Sequence, residues 1–89
     1  MALYESVIIG RQDLTPSQFE TLIDKFISVI GSFKGEIKKK EHWGLRNLAY
    51  KINKNRKGHY ILLNIDANPE AIVEYERLMR LDEDIIRFL

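Results

Sequence analysis

The chain has 89 residues, 45% of them hydrophobic and 30% charged, a formal net charge of +1 and no cysteine. This describes one globular domain, expected to span residues 1–89, and it excludes disulfides, thiolate nucleophiles and thiolate-held metals. Met1 to Glu5 shows no signal-peptide pattern and no apolar run approaches the roughly 18 residues of a membrane span, so the expected compartment is the cytoplasm.

Leu3 to Gly10, "LYESVIIG", is β-rich and roughly alternating, and reads as a first strand. "DLTPSQFE" then starts a helix, with Thr15 as N-cap, Pro16 in the first turn and Gln18 completing a capping box. Phe19, Leu22, Ile23, Phe26, Ile27 and Ile30 continue it as one apolar stripe, and Gly31 and Gly35 are expected to end it. Residues 36–52 read as a long second strand. Its apolar phase is odd at Ile37 but even at Leu48, Tyr50 and Ile52, so an extra residue or kink is expected at Gly44. The even phase assigns Leu48, Tyr50 and Ile52 to the core. "NKNRKG" is expected to be a polar turn, and His59 to Asp66 a third strand with Ile61, Leu63 and Ile65 on one face. That phase puts Tyr60 and Leu62 on the other face. Asn68-Pro69-Glu70 opens a second helix carrying Ile72, Tyr75, Leu78 and Met79, and "IIRFL" at 85–89 is a short fourth strand.

The order βαββαβ predicts an α+β, ferredoxin-like fold: a four-stranded antiparallel sheet, order 4-1-3-2, with both helices on one face. The second strand is then an edge, and the other sheet face is bare.

The small net charge conceals an asymmetry. Residues 34–57 hold nine Lys or Arg against two acids, a net of +7, and the rest holds five basic against eleven acidic residues, a net of −6. A basic half beside an acidic half points to a surface for a polyanion. Lys38-Lys39-Lys40 alone is equivocal, because lysines on an edge strand also discourage pairing with another chain. With Arg46, Lys51, Lys54, Arg56 and Lys57 on the same hairpin, phosphate binding becomes the better account. Trp43, Tyr50 and Tyr60 suit either stacking on unpaired bases or packing in a small core. The third strand lacks the aromatic run that RNA recognition motifs carry there.

Other chemistry finds no support. His42 and His59 have neither a nucleophile nor a third ligand in a suitable spacing, and read as solvated strand histidines; no metal or cofactor is expected. Glu70, Glu74, Glu76 and Asp82-Glu83-Asp84 lack EF-hand spacing and read as a solvated acidic surface.

"GLRNLAYKI" at 44–52 resembles the signature run of the bacterial small-subunit ribosomal protein S-six family. "YESVIIG", "KGHYILLNID" and "RLDEDIIRFL" extend the resemblance over nearly the whole chain. The resemblance implies the same βαββαβ fold and a non-enzymatic role on the ribosome. It implies binding to the central domain of small-subunit ribosomal RNA together with ribosomal protein S-eighteen, with no membrane and no small-molecule substrate. It makes Gly44 a backbone requirement, Leu48 and Ile52 core, and Arg46 a contact for RNA or protein. Tyr4, Arg80 and Arg87 match family positions and join Lys38, Lys40, Lys51, Lys54, Arg56, Lys57 and Tyr60 as contact candidates. Family members usually continue into a polar tail that contacts S-eighteen; the sequence here stops at Leu89, either as a shortened piece or as a protein without that tail, and the tail contact is not among the expectations for these residues. The alternative on this fold is a small-molecule-binding or acylphosphatase-like protein. Arg11 does follow Gly10, but "GRQDLTPS" lacks the repeated glycines of a phosphate cradle.

Overall fold

The computed structural model describes the backbone of residues 2–52 and 54–88, and the side chains of these up to Ile86. The chain runs β1 (Ala2–Arg11), α1 (Pro16–Ser32), β2 (Glu36–Ile52), β3 (Asn55–Ala67), α2 (Pro69–Leu81) and β4 (Ile85–Phe88). The strands lie in the order β2-β3-β1-β4 and every neighbouring pair is antiparallel. This is the expected ferredoxin-like order, with β2 at one edge. Asn53 and Leu89, assigned to the turn and to the fourth strand, lie outside the described residues.

Local chemistry explains the element boundaries. Thr15 and Gln18 cap α1 reciprocally: the Gln18 backbone N–H donates to Thr15 Oγ1 at 3.1 Å, and Thr15 N–H donates to Gln18 Oε1 at 2.9 Å. The end of α1 differs from expectation. Gly31 is still helical, and the left-handed residue that closes the helix is Lys34, with φ 63°. Gly35 N–H reaches Ile30 O at 3.0 Å and Lys34 N–H reaches Gly31 O at 2.9 Å, the paired bonds of a Schellman cap. At α2, Pro69 occupies the first turn as expected, but the Asn68 side chain makes no capping bond.

β3 begins at Asn55, four residues before the expected His59, so most of "NKNRKG" is strand rather than turn. Gln12 explains this early start. Its backbone N–H donates to Asn55 Oδ1 at 3.2 Å, and its Oε1 accepts the backbone N–H groups of Arg56 and Lys57 at 3.3 and 3.2 Å. A polar run holds an extended conformation here because its backbone donors are satisfied from outside the hairpin.

The core lies between the sheet and the two helices. Ile8, Ile61, Leu63, Ile65, Phe19, Ile23, Phe26, Ile30, Tyr75 and Met79 are among the side chains that fill it. Tyr75 is 1% exposed, and its hydroxyl shares a 3.0 Å hydrogen bond with Ser6 Oγ across the core. Tyr4, opposite Ile65 on β1, packs half-buried against this same cluster.

β2 carries three register breaks against β3, not one: two bulges and, past Asn47, a wider break over residues 48–51. Ile37 faces Ile65 while Lys39 faces Asn64, and His42 faces Ile61 while Gly44 faces Tyr60, so each step places two β2 residues against one of β3. Gly44 sits at the second with φ +80°, as its role in a kink requires. The site of the kink was anticipated correctly, but the phase argument behind it fails, because two bulges cancel and restore the original phase. Leu45, opposite His59, is on the helix side, and Arg46, opposite Gly58, is on the open side. Tyr50, expected in the core, is 80% exposed, and Leu48 and Ile52 are only half-buried and outside the core cluster.

Candidate nucleic-acid interface

The lysine run is electrostatically compensated. Lys38 pairs with Glu36 at 2.8 Å, Lys39 with Glu41 at 3.1 Å, and Lys40 with Glu20 and, at 3.8 Å, with Asp24 of α1. His42 joins the same Glu20 at 3.0 Å. Lys38 Nζ, by hydrogen bond and charge, holds the Glu36 carboxyl below the usual range. Lysines neutralised by their own neighbours present less net field to a polyanion, which lessens the claim of Lys38 and Lys40 to be contacts.

The distal hairpin is different. β1 reaches only as far as Arg11, opposite Gly58, so residues 47–57 form a two-stranded ribbon that projects past the sheet. This stretch holds Lys51, Lys54, Arg56 and Lys57 and no acid. All four are exposed, and among the described residues none of them makes an ion pair. Lys54 turns the chain with φ 67°.

At the base of the ribbon, on the open sheet face, Trp43 stacks on Tyr60 with ring centroids 6.2 Å apart and planes 21° from parallel. Arg46 lies over the Trp43 ring at 5.2 Å, and its Nε–H donates to the Trp43 carbonyl at 3.1 Å. The Trp43 indole N–H donates to Glu41 at 2.7 Å. That bond, followed by the one from Lys39, holds the Glu41 carboxyl below the usual range. The cluster is fixed by its own contacts, with Arg46 exposed and Trp43 and Tyr60 each partly open to solvent.

The structure thus gathers Arg46, Lys51, Lys54, Arg56, Lys57 and Tyr60 along one hairpin. It does not bring Tyr4 or Arg80 to it, and Lys38 and Lys40 lie further back on β2 with their charges compensated. Tyr4 is on the helix side of the sheet, and Arg80 is exposed on the last turn of α2, across the sheet from Trp43. The backbone of Arg87 lies opposite Ile9, but its side chain is outside those described. Sequence reasoning missed Tyr50 as an exposed group, because the register break over residues 48–51 leaves no mark in the apolar pattern.

His59 is not solvated as expected. It is 8% exposed, stacks on Phe19 at 5.4 Å, and its Nε2 bonds the Leu14 carbonyl at 2.7 Å. A hydrogen-bonded imidazole serves there as a core ring with a satisfied polar atom. Arg11 pairs with Asp13 and Asp84, both at 3.4 Å, so its charge is met within the chain.

The family described as Ribosomal protein S6 matches residues 3–89 of this sequence. The chain belongs to the ribosomal protein S6 family. Over all 89 residues it is 56% identical to the small ribosomal subunit protein bS6 of Granulibacter bethesdensis and 55% identical to that of Methylobacterium nodulans. It spans 58% and 66% of the length of these two S6 proteins. The crystal structure of 30S ribosomal protein S6 from Thermotoga maritima superposes with a TM-score of 0.91 at 30% identity, covering 98% of this chain and 82% of that one. S6 proteins are structural, non-enzymatic components, which removes the acylphosphatase-like alternative.

Proposed function

We propose that this chain is a structural component of the small ribosomal subunit, working in the cytoplasm on the ribosome. In this reading it binds the central domain of small-subunit ribosomal RNA together with ribosomal protein S-eighteen and aids the folding of that domain. Membership of the S6 family and the names of its relatives support the ribosomal part of the reading. The observation that carries the RNA part is the projecting ribbon, residues 47–57, with four cations and no acid. Cations without internal partners lose no ion pair on meeting phosphate, and each displaces counterions from the RNA.

Footprinting on the central-domain RNA, with and without S-eighteen, tests the reading. Protection that requires both proteins supports it, and protection that never appears removes it. If four ribbon cations each meet a phosphate, the logarithm of affinity should fall against the logarithm of salt with a slope of about −3. Salt-insensitive binding would take the ribbon out of the interface.

A further inference from the structure

Past Asn47, paired with Lys57, the register resumes at Ile52, paired with Asn55, so four residues of β2 (48–51) stand against the single residue Arg56. The chain is forced out of the ladder there, and it carries Tyr50, 80% exposed, with it. Tyr50 has no ring partner and no side-chain hydrogen bond among the described residues. Trp43 and Tyr60, by contrast, already occupy each other, and Arg46 covers Trp43.

We propose that Tyr50 stacks on an unpaired base of RNA, while Lys51 and Arg56, its neighbours along the chain and across the ribbon, hold the flanking phosphates. The proposal rests on the ribosomal RNA reading and names the subsite within it. Three features converge on a single-stranded nucleotide. The ring has two open faces, which any base can match. The charges around it are uniformly positive, which suits phosphate and not an acidic-and-basic protein surface. The extrusion sets the ring clear of the sheet, where a splayed base can reach it; bases inside an A-form helix are closed to a side chain of this kind.

The test measures affinity of the full chain with S-eighteen for central-domain RNA, using wild type, Tyr50→Phe and Tyr50→Leu. Tyr50→Phe keeps the ring and should bind like wild type. Tyr50→Leu keeps an apolar side chain but loses the π face, and should weaken binding about fivefold to a hundredfold, with an unchanged salt slope and melting temperature. Chemical probing should show one single-stranded base newly reactive in the leucine complex. The inference is overturned if leucine binds as well as tyrosine, or if the base that changes is paired. It is overturned equally if Tyr50→Leu weakens S-eighteen binding in the absence of RNA, which would make the ring a protein contact. Wild type that fails to bind the RNA at all removes the ribosomal reading itself, a result distinct from all of these.

Discussion

Trp43 lies nearly parallel to Tyr60, 6.2 Å between ring centroids, at the point where the second bulge of β2 sets Gly44 opposite Tyr60. The bulge puts one extra residue into β2, and so an indole from the edge strand reaches over the ring of β3. Such a pair should couple by about 0.5–1.5 kcal/mol beyond its area burial. A double-mutant cycle with Trp43→Ala and Tyr60→Ala, read by denaturant unfolding, measures it; additive losses would mean that the rings only share a face.

Arg46 caps that pair from solvent. Arg46→Ala removes an exposed cation–π contact and should cost at most about 1 kcal/mol of stability. Assembly onto RNA and S-eighteen should weaken more noticeably, because a guanidinium makes bidentate, charge-assisted bonds to phosphate or carboxylate. Arg46→Lys restores the charge and not the planar fork, so partial rescue in a reconstitution assay would show that geometry matters. A large loss of melting temperature with unchanged assembly would reverse the assignment.

Tyr50 and Tyr75 separate surface from core. Tyr50→Ala should shift folding stability by no more than about 0.5 kcal/mol, the usual range for an exposed side chain. Tyr75→Ala should cost on the order of 3–5 kcal/mol, because it leaves a cavity of aromatic size in the core. Thermal and denaturant unfolding of the two variants decide the matter, and comparable losses would contradict the exposure of Tyr50.

The contrast shows where the sequence is readable. The α1 stripe from Phe19 to Ile30 and the alternation Ile61, Leu63, Ile65 state their burial directly, since each element keeps one period throughout. β2 does not. Bulges at Lys38 and at Gly44 each move the phase by one residue, and only the glycine is visible as a residue type. Tyr50 shares a phase with Leu48 and Ile52, which assigns it inward, but it stands in a third break, between Asn47 and Ile52, where no regular phase holds. The charges of the lysine run were likewise legible, but not their compensation, because Glu20 and Asp24 come from α1 and meet Lys40 only through the tertiary fold.

Gly44 allows that shift to be tested at the backbone. A Cβ built there meets nothing within 4 Å, so a substitution is opposed by the φ of +80° alone and not by crowding. Gly44→Val should cost about 1–3 kcal/mol, and Gly44→Asn less, because asparagine tolerates the left-handed region better than a β-branched residue. Equal losses for the two variants would mean that the strand has settled into another conformation.

The buried Tyr75 hydroxyl gives stability a dependence on alkaline pH. Burial pushes its pKa from 10.0 up to about 12, and the hydrogen bond with Ser6 only partly offsets this. Below pH 10 the phenol is neutral in both folded and unfolded chains and contributes no slope. From pH 10 towards about 12 the unfolded chain releases the proton while the folded chain keeps it, so stability falls as pH rises. The loss should approach about 1.4 kcal/mol per pH unit and total on the order of 2–3 kcal/mol across the window. The comparison that isolates this contribution is with Tyr75→Phe, which keeps the ring and removes the titrating group. Tyr75→Phe should be less stable at neutral pH by about 1–3 kcal/mol, because Ser6 Oγ is left buried without its partner. Its deficit should shrink as pH rises through the window, as wild type loses stability that the variant does not. Parallel curves from pH 9 to 12 would show that Tyr75 ionises in the folded chain as readily as in the unfolded one.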